Sequence, residues 1–79
     1  MKDRSDKLCN VFINVLALAP DTDSAKIRRA SLASWDSLAQ ITLITTIENE
    51  FGLMFDAEDY SVIDSFEAAA ELLRKKGLL

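Results

Sequence analysis

Seventy-nine residues leave room for one small domain and no second core. Apolar residues make up 49% and charged residues 28%, which is the balance of a folded chain rather than a disordered one, and the net charge is −4. The chain has no histidine and a single cysteine, Cys9, which removes Ser–His and Cys–His catalysis, an internal disulfide and a zinc cluster. The cysteine reads as a buried apolar thiol in a reducing, cytoplasmic setting. Two glycines and one proline are too few for an all-β fold with many turns. At ~0.05–0.15 kcal/mol per residue, net stability is only ~4–12 kcal/mol.

The first predicted helix runs from Ser5, as N-cap, to Leu18, with Asp6 in its first turn and Pro20 as its stop. Leu8, Phe12, Val15 and Leu16 recur at helical spacing. Lys2, Arg4 and Lys7 ahead of an apolar run ending in Ala17-Leu18-Ala19 resemble a secretory signal. Asp3 and Asp6 oppose those charges, and Asn10 and Asn14 interrupt the run, so the reading is a core helix. No stretch reaches the length of a membrane span, and no membrane insertion is expected.

From Ala19 to Asp36 the pattern is aperiodic, with a turn at Asp21 to Ser24. Ile27, Leu32 and Trp35 are isolated apolar residues that pin this long loop to the core instead of building an element. A second helix opens at Asp36-Ser37 and ends at Phe51, with Gly52 after it. Its core stripe is Ile41, Ile44, Ile47 and Phe51, and Leu38 lies off that stripe with Thr42, Thr45, Thr46 and Asn49. The acidic segment Asp56 to Tyr60 holds one short helical turn. A last helix starts at Asp64-Ser65, where either side chain can cap and Asp64 with Glu67 has the spacing of a capping box. Phe66, Ala69 and Leu73 form its inner face, Arg74 to Lys76 complement its dipole, and Gly77 ends it. The architecture is all-α: a small four-helix bundle of three main helices and one short one, with a long loop between the first and second. The interior lined by Phe12, Ile41, Ile44, Phe51, Phe66, Ala69 and Leu73 reads as tight helix packing, with room to shelter a chain as the alternative.

Charge is uneven along this frame. Between Arg29 and Arg74 there is no basic residue, while nine carboxylates accumulate from Asp36 to Glu71. Such a surface repels nucleic acid and anionic lipid and steers basic protein surfaces toward it. A solvated acidic face kept for solubility is the simpler alternative.

Asp36-Ser37-Leu38 stands at the head of the second helix, where this acidic stretch begins. A serine there lies beside free backbone N–H groups and the positive end of the helix dipole, which favour an attached anion by ~0.3–1 kcal/mol. No base in the chain activates Ser37, so any modification needs an enzyme that brings its own. Capping alone is the simpler role for this serine.

In this register the chain resembles the acyl carrier protein family. The resemblance covers nearly the whole chain: first helix, long loop, the Asp-Ser-Leu motif, Glu48-Asn49-Glu50-Phe51-Gly52 at the end of helix two, a short third helix and a last helix. It implies a non-enzymatic carrier, residues 1–79 forming one carrier domain. Ser37 would hold 4′-phosphopantetheine transferred from coenzyme A, which would make the chain a phosphoprotein that carries acyl or aminoacyl groups as thioesters. By the same resemblance Asp36 and Glu48 present charge to basic partners, and Leu38 docks into apolar pockets. The partners implied are a phosphopantetheinyl transferase, an acyl- or aminoacyl-loading ligase, and an acyltransferase or synthase, met by a monomer. For Leu38 incidental exposure is the alternative, and for Glu48 plain solvation.

The sequence also departs from the pattern. Ala39, Thr42 and Asn49 stand where carriers of fatty acid synthesis are usually acidic, and Trp35 replaces a common glycine. These differences point to a dedicated stand-alone carrier of a polyketide, aminoacyl or surface-polysaccharide acylation pathway, ahead of housekeeping fatty acid synthesis. Trp35 reads as a loop anchor, or else as a partner contact. The rival reading is an acidic helical adaptor without a prosthetic group.

Overall fold

A computed structural model describes residues 4–79. Lys2 and Asp3, part of the N-terminal charge pattern, lie outside the described residues. Four helices follow one another: α1 (Arg4–Val15), α2 (Ser37–Phe51), α3 (Ala57–Val62) and α4 (Phe66–Lys75). No strand occurs among the described residues, only an isolated antiparallel bridge between Arg28 and Ser65. The expected all-α bundle is therefore the one observed.

The helix ends follow from local chemistry. Asp36 caps α2 through its carboxylate, which accepts from the Ala39 N–H at 2.8 Å. Asp56 and Asp59 form a reciprocal capping box that starts α3. At α4 the cap is Ser65, one of the two expected candidates, whose hydroxyl accepts from the Ala68 N–H at 3.0 Å; the Asp64–Glu67 box does not form. The Asp64 carbonyl is instead engaged by the Arg29 N–H at 2.9 Å. Ser5 lies within α1 rather than capping it.

Three helices end in a left-handed residue, and glycine fills that position at two of them, Gly52 (φ 66°) and Gly77 (φ 76°). At α1 the position falls to Ala17 (φ 54°), followed by a Leu18 N–H bond to the Ile13 carbonyl at 2.9 Å. The helix thus stops at Val15, short of the predicted Leu18, because the chain turns left-handed before Pro20 is reached. Ala17 is exposed and its Cβ is strained by this backbone. Ala17→Gly is accordingly expected to stabilise the fold by ~0.5–1 kcal/mol after the entropic cost of glycine, and to raise the urea midpoint at unchanged slope.

The core joins Leu8, Val11, Phe12 and Leu16 of the N-terminal segment to Leu43, Ile44 and Ile47 of α2 and Ala69, Ala70 and Leu73 of α4. Phe12 is its aromatic centre, edge-on to Trp35 at 5.6 Å and to Phe66 at 5.5 Å. Ile27, Trp35 and, partly, Leu32 pin the long loop as expected. The loop also contains two 3₁₀ turns, Ser24–Lys26 and Arg29–Ser31, that its aperiodic sequence did not announce.

Two further expectations need correction. Ile41, assigned to the core stripe, is 57% exposed, and its place is taken by Leu43, which is fully buried. The buried side of α2 runs through Gln40, Leu43, Ile44 and Ile47, and the Gln40 amide on that side is matched by polar partners from the loop and α3. Cys9, read as a buried thiol, is half-buried, and partial burial followed by the Asp6 carboxylate pushes its thiol above the ordinary range.

Candidate functional site

The turn that opens α2 carries the predicted motif. Asp36 has extended backbone (φ −94°, ψ −172°), and its carbonyl accepts from the Gln40 N–H at 2.9 Å, the first turn of the helix. Ser37 is the first helical residue, and its side chain is exposed. Among the described residues its hydroxyl takes part in no side-chain hydrogen bond, while the capping role belongs to Asp36. The hydroxyl is therefore open to solvent and not engaged in holding the helix start.

Leu38 follows at 73% exposure, too open to be a packing residue. Thr42 is exposed on the same side, its hydroxyl donating back to the Leu38 carbonyl at 3.1 Å, and Thr46 repeats the bond to Thr42 at 2.7 Å. From Ser37 to Ile47 α2 bears no ionisable side chain. Its outer surface beside the serine is thus apolar and hydroxylated, bounded by acids at the two ends.

Glu48 stands apart. It lies eleven residues after Ser37, about 16 Å along the helix at the standard rise. It is half-buried, and its Oε2 accepts from the Phe55 N–H at 2.8 Å, which fastens the loop after α2. The structure brings Asp36, Ser37 and Leu38 into one turn and leaves Glu48 at the far end with a structural bond of its own.

Sequence reasoning missed Gln40. Its side chain is buried and reaches three partners: Oε1 accepts from the Trp35 indole Nε1–H, and Nε2 donates to the Tyr60 and Ile63 carbonyls, both at 2.9 Å. The orientation is fixed by chemistry, because indole N–H only donates and carbonyls only accept. Trp35, 3% exposed, is a loop anchor held by this bond and by Phe12. The signal available was a lone amide three and four residues before Leu43 and Ile44, on their side of the helix.

A phosphodiester suits this turn. An exposed hydroxyl at the first residue of a fifteen-residue helix meets the positive end of the dipole, and the Asp36 carboxylate is turned onto the Ala39 N–H.

Comparison with known proteins bears on the same point. No family model matches the chain, and neither does any solved structure. Over 69 residues, 87% of its length, it is 29% identical to acyl carrier protein 4, chloroplastic, of Cuphea lanceolata, covering 50% of that protein. Acyl carrier proteins 1 and 3, chloroplastic, of the same plant match over the same share of the chain at 29% and 28% identity, with 49% and 48% of their lengths covered. The chain thus spans about half the length of the curated relatives it matches. Taken with a bundle of four helices and an open serine at the head of its second, these matches support assignment of the chain to the acyl carrier protein family.

Proposed function

We propose that residues 1–79 act as one carrier domain, with Ser37 as the attachment point of 4′-phosphopantetheine. The observation that carries this reading is the exposed, uncommitted Ser37 hydroxyl at the first residue of α2, inside a turn already capped by Asp36. When attached, the group supplies a terminal thiol that holds an acyl or aminoacyl cargo as a thioester.

Attachment forms a bond from Ser37 Oγ to the pantetheine-side phosphorus of coenzyme A and breaks its pyrophosphate link, releasing adenosine 3′,5′-bisphosphate. The serine proton goes to a base on the transferase, since this chain offers none. The first turn of α2 orients the product anion, and Leu38 presents an apolar anchor beside it. The partners are a phosphopantetheinyl transferase, a loading ligase and an acyltransferase or synthase, met by a cytoplasmic monomer.

The uncharged stretch from Ser37 to Ile47 favours a polyketide, aminoacyl or polysaccharide-acylation pathway over partners that read an acidic second helix. Incubation with coenzyme A and a broad-specificity transferase, followed by intact mass, is the direct test. One adduct of the phosphopantetheine mass supports a carrier, and an unchanged mass supports the adaptor.

The charges at the two ends of this face, Asp36 and Glu48, are expected to act on encounter rather than on the complex. Asp36→Asn keeps a capping side chain, and Glu48→Gln keeps an acceptor for the Phe55 N–H, so each removes charge with little change in fold. Stopped-flow association with the transferase should slow in both variants, and the deficit should shrink as salt rises.

A further inference from the structure

We propose that Gln40 is a positioning residue for the reaction at Ser37: it fastens the last turn of α3 and the loop before the serine to the first turn of α2. Enzymes that reach Ser37 then meet three segments as one rigid surface. This role rests on the carrier reading above.

The argument starts from the shortness of α3. Six residues do not hold a helix in water by themselves. Its start is secured by the Asp56–Asp59 box, but carbonyls at its end have no partner within the helix. Gln40 supplies that partner from another element, giving its two amide hydrogens to Tyr60 and to the C-cap residue Ile63. Its oxygen is spent on Trp35, two residues before Ser37. An apolar side chain at position 40 would leave the Ile63 carbonyl and the Trp35 indole N–H buried without partners, and the part-buried Tyr60 carbonyl without its protein partner.

The consequence concerns what Ser37 is presented with. Gln40 sits one helical turn after Ser37, and α3 carries the half-open side chains of Tyr60 (41% exposed) and Val62 (50% exposed). With the amide in place, α3 stays docked against the turn that bears the serine. Without it α3 frays, the indole loosens, and a partner must reorder both before it can dock. That loss appears in affinity for the carrier rather than in turnover once bound.

The test uses Gln40→Met, which removes all three bonds, and Gln40→Glu, which keeps the Trp35 acceptor and removes both donors to α3. Each is compared with the wild type in transferase kinetics with coenzyme A, acrylamide quenching of Trp35 fluorescence, and amide exchange over residues 57–63. Both variants should exchange faster over those residues and show a KM for the carrier raised about tenfold with kcat held within about twofold. Only Gln40→Met should expose Trp35 to quencher. If Gln40→Met does not fold, Gln40→Glu decides. An unchanged KM in the folded variants, or a raised KM without faster exchange in α3, overturns the role of Gln40. A wild type that is never labelled fails the carrier reading itself, and this role with it.

Discussion

Ser37→Ala is expected to abolish labelling by coenzyme A and a transferase outright, with the helical circular dichroism unchanged. The effect on modification is all or none because the hydroxyl oxygen is the atom that would join the phosphorus. Ser31 and Ser34 are exposed nearby in sequence, but neither opens a helix of α2's length. The fold is spared because the cap is Asp36, which keeps its bond to Ala39, and alanine suits a first-turn position. Intact mass and thermal melting on the same sample check both halves. Labelling of the Ser37→Ala variant would move the site to another residue.

The second large effect separates two leucines five residues apart. Leu43 is fully buried, so Leu43→Ala should cost ~2–5 kcal/mol, a large share of the ~4–12 kcal/mol that holds a chain of this length. Leu38 is 73% exposed, and Leu38→Ala should leave the urea midpoint nearly where it was. Its loss should instead appear in partner binding, where a desolvated apolar anchor contributes ~2 kcal/mol or more. Urea titrations of both variants and transferase affinity of the Leu38 variant give the comparison. Equal destabilisation by the two changes would place Leu38 in the core and remove it from the docking surface.

The rotation of α2 was the least legible part of the fold, and these leucines explain why. Leu38, Ala39, Ile41, Leu43, Ile44 and Ile47 lie around most of the helix circumference, with no charge between Asp36 and Glu48 to mark the wet side. Periodicity alone could not distinguish Ile41 from Leu43. Gln40 also lies on the buried side, but the partners that satisfy its amide lie up to 23 residues away. In α4 the contrast is strong: Glu67, Glu71, Arg74 and Lys75 oppose Ala69 and Leu73, which were read as inner, while Phe66 is only partly buried and Ala70 joins the face unannounced. Helix ends were legible where one side chain serves one purpose, as at Asp36, Gly52 and Gly77. Ala17, standing where a glycine would be expected, left no such mark.

The same division holds at the candidate site. Asp36, Ser37 and Leu38 were found from contiguous residues, and the structure places them in one turn. The bond from Glu48 to Phe55 and the reach of Gln40 to Tyr60 and Ile63 connect separate elements and leave no periodic trace. Trp35 was legible as an anchor because an isolated large apolar residue in a polar loop has few other uses.

The bridge between Arg28 and Ser65 changes what the long loop is mechanically. Two main-chain bonds, Arg29 N–H to Asp64 and Phe66 N–H to Ile27, clip its middle to the head of α4 at 2.9 Å each. The connection from α1 to α2 therefore behaves as two short spans hung from a fixed point. The first, up to Ile27, is anchored by Leu16 and by the capped turn at Ser24–Lys26, and its exposed middle around Pro20 and Asp21 is where added length would cost least, about 0.6 kcal/mol per doubling in chain-closure entropy. The second runs from Arg29 to Asp36 and includes the buried Trp35. With its 3₁₀ turn at Arg29–Ser31 and Trp35 seated in the core, this span is fixed at both ends, so an inserted residue here would shift Ser37 relative to α4, whereas one in the exposed turn around Pro20 and Asp21 would not.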